Sequence, residues 1–253
     1  MKSAALLACF LIVSVASAQD VKPTTIHWYG QSFIRIETSL GKSVVIDPHD
    51  LAFFDPPPVT ADVVLVGYEH PQANRTEMVK DLKAAREFRG LKMIGKNRFG
   101  WNAIDEKVGQ IRIRAIGAYR DAADGAELGR TTIFCLEADG LRFAHLGGLG
   151  QDLTAEQVKA IGAVDVLMIP VGGVEVINGD VAKTIVAKLK PRLFILPMHY
   201  GVRGFDEFLP PDEFLGGPTP VRKTPATNQL AIPPEAKADG PTIVLLGWTT
   251  PKK

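Results

Sequence analysis

Cysteine is nearly absent from this 253-residue sequence, with Cys9 and Cys135 the only two, so no disulfide framework holds the fold. Charge of one sign is absent as well: 29 Lys and Arg stand against 28 Asp and Glu, a formal charge of +1. No stretch gathers like charges into a block, so the electrostatic footprint needed to grip a phosphate backbone is missing and nucleic acid is not an expected partner. No apolar run reaches the roughly 18 residues of a membrane-crossing helix, and stable membrane insertion is not expected either. What is present, 46% hydrophobic and 23% charged residues, suits a globular chain with core enough for one large domain.

The first eighteen residues read as a secretory signal peptide. Lys2 precedes an apolar run from Ala4 to Val15, and small residues at Ala16 and Ala18 suit cleavage before Gln19. The expectation is therefore a leader over 1–18, a single exported domain over 19–253, and a periplasmic or secreted location. A lipoprotein reading at Leu6-Leu7-Ala8-Cys9 has too little apolar sequence before the cysteine. Cleavage leaves Cys135 as the only thiol, inside the strand-like run Thr131 to Ala138, where a buried small hydrophobe is the expected role.

Strand patterns occupy Thr25 to Thr38 and Ser43 to Pro48 as a hairpin, then Asp62 to Gly67, Leu91 to Ile94, Gln110 to Ile116, Thr131 to Ala138 and Leu141 to His145. A helical pattern covers Thr76 to Ala85. From Thr154 the pattern alternates: helices at Thr154–Ile161 and Gly179–Leu189, strands at Val164–Ile169 and Leu193–Leu196. Residues 201–240 read as loops with one short helix near Asp212 to Leu215, before a last strand at Thr242 to Leu246. This order predicts a layered α/β protein.

His70, His145 and His199 each follow an apolar strand, where layered folds bring side chains to a common rim. Neutral imidazole is a frequent zinc ligand, so the three are candidates to meet at one site, although each taken singly suits a structural role better than a ligand's. Weaker signals carry less. Gly147-Gly148-Leu149-Gly150 and Val171-Gly172-Gly173 lack the Lys-Ser/Thr of a phosphate loop and read as turns, Asn74-Arg75-Thr76 is a formal glycosylation sequon, and His27 reads as a packing residue.

Four segments, Asp62-Val-Val-Leu-Val-Gly-Tyr-Glu-His-Pro-Gln-Ala-Asn74, Phe143-Ala-His-Leu-Gly-Gly-Leu-Gly150, Val164 to Gly173 and Leu189 to Tyr200, resemble the metallo-β-lactamase superfamily, in particular its branch similar to the ascorbate-phosphate lactonases. The resemblance runs from about Thr25 to Trp248. It implies an αββα sandwich, two mixed β-sheets flanked by helices, with a metal site in a cleft along one edge. Where the family pattern has HxHxDH, this sequence has Tyr68, Glu69, His70, Pro71, Gln72 and Ala73. The bridging aspartate of an HLGDLGH-like motif is replaced by Gly148 and its final histidine by Gln151, and the histidine of a GHS-like turn by Gln31.

Carried over by position, one metal would see Tyr68, His70 and His145 and the other Gln72, Ala73 and His199. Glycine and alanine offer no ligand atom, Gln72 is neutral, and Tyr68 would have to ionise from a pKa of about 10. The aspartates that neutralise two cations and hold a bridging hydroxide are gone. Glu69 and Asp47 correspond to family positions that point away from the metals or fix a loop; with Tyr200, Gln31 and Gln151 they are expected on the cleft rim, and His49 on the surface beside Asp50.

Two functions follow. The first is an exported, eroded member of the superfamily that has lost dinuclear hydrolysis and binds a small molecule or a protein partner, with no cofactor. The second is a mononuclear hydrolase acting on a lactone, phosphoester or amide, with one zinc ion held by His70, His145 and His199. A metal-independent enzyme with Tyr68 or His70 as general base is a minor third, because no nucleophile accompanies it.

Overall fold

A computed structural model describes residues 22–96 and 98–248; the leader, Cys9 and the cleavage position near Ala18 lie outside them. The chain begins with β1 (Thr24–Trp28), β2 (Ile34–Glu37), β3 (Ser43–Ile46), the short β4 (Val59–Thr60), β5 (Val63–Val66), the short β6 (Val79–Lys80) and β7 (Arg86–Arg89). A small ribbon of β8 (Leu91–Gly95) and β9 (Arg98–Trp101) follows, then β10 (Asp105–Val108), β11 (Ile111–Tyr119), β12 (Arg130–Ala138) and β13 (Leu141–His145). The last part alternates α1 (Ala155–Ile161), β14 (Val166–Pro170), α2 (Gly179–Leu189), β15 (Phe194–Met198) and α3 (Asp212–Leu215), and ends with β16 (Val221–Thr224), β17 (Gln229–Ile232) and β18 (Thr242–Leu246).

These strands form two large mixed sheets. One runs β17-β1-β2-β3-β5-β7 and the other β10-β11-β12-β13-β14-β15-β18-β16. Period-two burial in β1 and β2 turns Ile26, Trp28, Ile34 and Ile36 toward the second sheet, where they join Ile113, Phe134, Leu167 and Ile195 in one continuous core. Strands buried on both faces, such as Val63–Val66 and Val166–Pro170, are apolar throughout for the same reason.

The helices pack on the eight-stranded sheet. Thr154 and Gln157 close a capping box on α1, and the Asn178 side chain accepts from the Val181 N–H to start α2, which buries Ala182, Ile185 and Leu189. The outer face of the six-stranded sheet is covered differently. No helix forms over Thr76 to Ala85; two 3₁₀ turns, at Thr76–Met78 and Leu82–Ala84, flank β6 instead, because Asp81 is left-handed at φ 53° and interrupts any α-helical run. Val79 still packs with Phe33, Val45 and Val64 there, and Leu82 and Ala85 flank the same cluster. The first strand segment is also divided, since residues 29–33 turn between β1 and β2. Residues 201–240 keep the short helix α3 but add β16 and β17, and β17 pairs antiparallel with β1, joining Thr24 to Ile232. Cys135 is buried as expected, and burial raises its thiol pKa to about 11.

Parallel pairing of β3 with β5, and of β13, β14 and β15, places their carboxyl ends along one edge of the sandwich. Asp47, Tyr68, His145 and His199 stand at or just beyond those ends. Ligand crevices in open α/β sheets occupy such edges.

Candidate functional site

Three of the nine non-glycine residues with left-handed backbone among the described residues stand at this edge. Asp47 follows β3 at φ 48°, His199 follows β15 at φ 52°, and Gln31, in the turn between β1 and β2, sits at φ 44°. Non-glycine residues hold left-handed conformations at a cost of order 1–3 kcal/mol each, and cluster where a site over-determines them. The His199 N–H donates to the Gln31 carbonyl at 3.2 Å, which ties the two strained residues together.

The three candidate histidines occupy unlike environments. His145 is fully buried; its Nε2 lies 2.9 Å from the Ser32 carbonyl and its Nδ1 3.3 Å from the Gly147 N–H. That pattern assigns the Nε2–H tautomer and occupies both ring nitrogens with backbone. His199 is equally buried, its ring edge-on to Phe208 at 4.8 Å, and neither ring nitrogen has a protein partner. His70 is only half-buried and lies beside the Tyr68 ring, centroids 6.4 Å apart. Among the described residues no three His, Cys, Asp or Glu side chains come together in an arrangement able to hold a metal ion.

The remaining ligand positions are filled by other chemistry. An ideal Cβ at Gly148 would lie 3.1 Å from Tyr68 Cε1 and 3.4 Å from Arg120 Nε, so the room a bridging carboxylate needs is taken by a phenol ring and a guanidinium. Arg120 Cζ sits 4.5 Å from the Tyr68 ring centroid, and Arg120 Nη2 donates to Glu175 at 3.2 Å. The Ala73 methyl packs on Tyr68 and Leu91. Burial above all holds the Tyr68 phenol protonated, with the nearby Asp47 charge acting in the same direction against Arg120. The residues present do not fit a dinuclear metal group, and Arg120 is a fixed cation among them.

Several buried polar atoms have no partner in the protein: both amide atoms of Gln31, Ser32 Oγ, Asp47 Oδ2, the Tyr68 hydroxyl, Gln72 Oε1, Arg120 Nε and both nitrogens of His199. Native interiors satisfy nearly all such groups, so a concentration of exceptions marks a place built to meet something polar.

The rim assignments divide. Gln31 and Asp47 lie inside the cluster. Glu69 is held by Arg89, with both oxygens 2.9 Å from Nη1, and supports the loop. Gln151 accepts from the Tyr119 N–H and donates to the Asp152 carbonyl, so its amide serves the backbone. Tyr200 is not a rim residue: it is buried in the main core, its ring 5.2 Å from Trp28. His49 is not on the surface either, for its ring is buried between Phe33 and Phe54 and Nε2 lies 3.1 Å from the Gly30 carbonyl. Sequence reasoning passed over Arg120, Ser32 and Glu175; Arg120 follows the end of β11 and meets Tyr68 only in the folded chain, and no local pattern marks it.

Burial raises the Asp47 pKa to about 8, against the opposing pull of the Gly67 N–H and Arg120. The folded protein thus keeps a proton that an unfolded carboxyl releases near 3.8, and this contribution to stability is lost as pH rises from about 4 to about 8. Burial lowers His145 and His49 to about 4 and His199 to about 3. Those rings are neutral when folded but protonated in the unfolded chain below about 6.5, so they remove stability as pH falls below that value. Stability to urea is expected to peak near pH 6.5. On the alkaline side Asp47→Asn should abolish a slope of up to about 1.4 kcal/mol per pH unit; an unchanged slope between pH 6.5 and 8 would contradict the assignment.

Residues 25–199 match the family described as beta-lactamase superfamily domain. A UPF0173 protein of Pyrococcus abyssi is 27% identical over 194 residues, covering 71% of this chain and 84% of the relative. A UPF0173 metal-dependent hydrolase of Nitratidesulfovibrio vulgaris is 26% identical over 203 residues, 70% of this chain and 80% of its own. Among solved structures, a Thermotoga maritima protein assigned to the Zn-dependent hydrolases of the metallo-β-lactamase superfamily superposes with a TM-score of 0.66 at 28% identity, covering 88% of this chain and 98% of its own. A metallo hydrolase from Ignicoccus hospitalis, at 20% identity and a TM-score of 0.52, shares the fold.

Proposed function

This chain belongs to the beta-lactamase superfamily, and from that premise we propose that it is an exported member whose dinuclear metal centre has been dismantled and whose cleft binds a small molecule. The observation that carries this reading is the pair Tyr68 and Arg120, packed where Gly148 leaves no bridging carboxylate. A guanidinium among the former ligand positions opposes a divalent cation by charge as well as by volume. The unpartnered atoms of Gln31, Asp47, Gln72 and His199 then serve as donors and acceptors for a polar ligand.

Relatives named metal-dependent hydrolases favour a second reading, in which His199, with both ring nitrogens free, anchors a single zinc ion. Elemental analysis of protein purified without an affinity metal separates the two. The proposal expects no stoichiometric zinc after dialysis against the metal, in the wild type and in His199→Ala alike. About one zinc per chain, lost in His199→Ala and accompanied by chelator-sensitive hydrolysis, would replace it with the mononuclear enzyme. Export is tested separately: protein recovered from its host should begin at Gln19.

A further inference from the structure

A concavity lies beside the Tyr68–Arg120 pair, a cavity of about 260 Å³ lined by Tyr68, Glu69, Arg98, Phe99, Arg120 and Arg130, with Leu91 and the 125–129 loop completing its wall. Its volume corresponds to roughly nine water molecules of the liquid, which sets a small occupant.

The charges that line it do not cancel. Glu69 is already engaged by Arg89, and Arg120 by Glu175. Among the described residues Arg98 and Arg130 take part in no ion pair. The Arg130 guanidinium lies 4.8 Å from the Trp101 ring centroid and 5.9 Å from that of Tyr119, which fixes its plane, while its Nε is buried without an acceptor. Arg120 Nε, in a side chain only 8% exposed, is likewise buried without one. Two guanidinium groups held against aromatic rings, with Arg98 also in the lining, give the cavity wall a positive charge that matches the oxygens of an anion. Tyr68, Phe99 and Leu91 supply apolar contact beside them.

The wall is built rather than incidental. Asp121, 7% exposed, accepts from the backbone N–H groups of Ala123, Gly125, Glu127 and Leu128. Its carboxylate therefore shapes the loop that closes the cavity over Arg120 and Arg130 without spending their charge.

We propose that this arginine-lined cavity is an oxyanion-binding site, taking a small molecule that presents a carboxylate or a phosphate to Arg120 and Arg130 and lays an apolar portion against Tyr68 and Phe99. The proposal deepens the ligand-binding reading of the cleft and rests on it. Inorganic phosphate, benzoate and phenyl phosphate, titrated into the whole mature chain by calorimetry, serve as probes; whichever binds most tightly identifies the anionic group. Saturable binding of at least one probe is expected, weakened about tenfold or more by Arg130→Gln and by Arg98→Gln and partly rescued by Arg130→Lys, which keeps the charge but loses the fork. Lys237→Gln, the same charge change on a distant exposed side chain, should leave it unaltered. The absence of saturable binding up to about 10 mM, indifference to both arginine substitutions, or equal loss in Lys237→Gln would overturn the proposal. Stoichiometric zinc alongside arginine-dependent anion binding would instead sink only the dismantled-centre reading, so the two failures are distinguishable.

Discussion

Gly150→Ala is expected to cost about 3 kcal/mol or more and to lower the melting temperature by roughly 6–12 °C. An ideal Cβ at this position would stand 1.9 Å from the Arg120 carbonyl oxygen, 2.1 Å from its carbon and 2.6 Å from the Asp121 nitrogen. All three are backbone atoms, so no rotamer change relieves the overlap, and the Gly150 N–H is also bonded to the Tyr119 carbonyl at 2.9 Å. The chain must move at 119–121, the residues that set Arg120 against Tyr68 and start the Asp121 loop. Gly217→Ala, where nothing lies within 4 Å and φ is ordinary, should change stability by less than about 0.5 kcal/mol. Thermal melts of the two variants check this directly, and a neutral Gly150→Ala would mean that the close approach is not a constraint.

Introducing ligand residues of the family should fail to create a metal site while Arg120 remains. Tyr68→His with Gly148→Asp returns two family ligand types, yet the new carboxylate enters beside Arg120 Nε and pairs with it. A divalent ion about 6 Å from the guanidinium is disfavoured by roughly 5 kcal/mol at an effective dielectric near 20, before any offset from Glu175. Adding Arg120→Met removes that charge while keeping an unbranched chain to pack on the ring. The triple variant is expected to bind zinc at least about a hundredfold more tightly than the double variant in competition with a chromophoric chelator. Equal affinities would show that the cation does not guard the site.

The strands were legible because burial on two faces leaves an unmistakable apolar run, as in Val63–Val66, and α2 because Asn178 caps a periodic apolar face. Val79, Leu82 and Ala85 misled for a physical reason: spacing of three mimics a helical face, and all three do face one apolar cluster, but as a strand and a tight turn. β7, β9, β10, β16 and β17 escaped notice because exposed strands such as Arg-Glu-Phe-Arg, Asp-Glu-Lys-Val and Val-Arg-Lys-Thr carry charge where alternation would otherwise speak. At the site, strand-end position singled out the three histidines, which do not come together as one ligand set among the described residues, and the resemblance drew attention to positions 68, 72, 73 and 148. Arg120 was not, since its meaning arises only when residues 68, 120 and 148 are brought together. His49 followed the same logic in reverse: a polar residue between Pro48 and Asp50 looks like loop surface until Phe33 and Phe54 close around it.

The pairing of β1 with β17 bears on the order in which this protein can assemble. The first strand waits for a neighbour about 200 residues downstream, so for a chain delivered N-terminus first, from a ribosome or through a membrane pore, the leading sheet keeps an open edge until almost everything has emerged. Such remote closure slows folding. Any truncation before residue 229 would leave β1 as an unpaired, adhesive border.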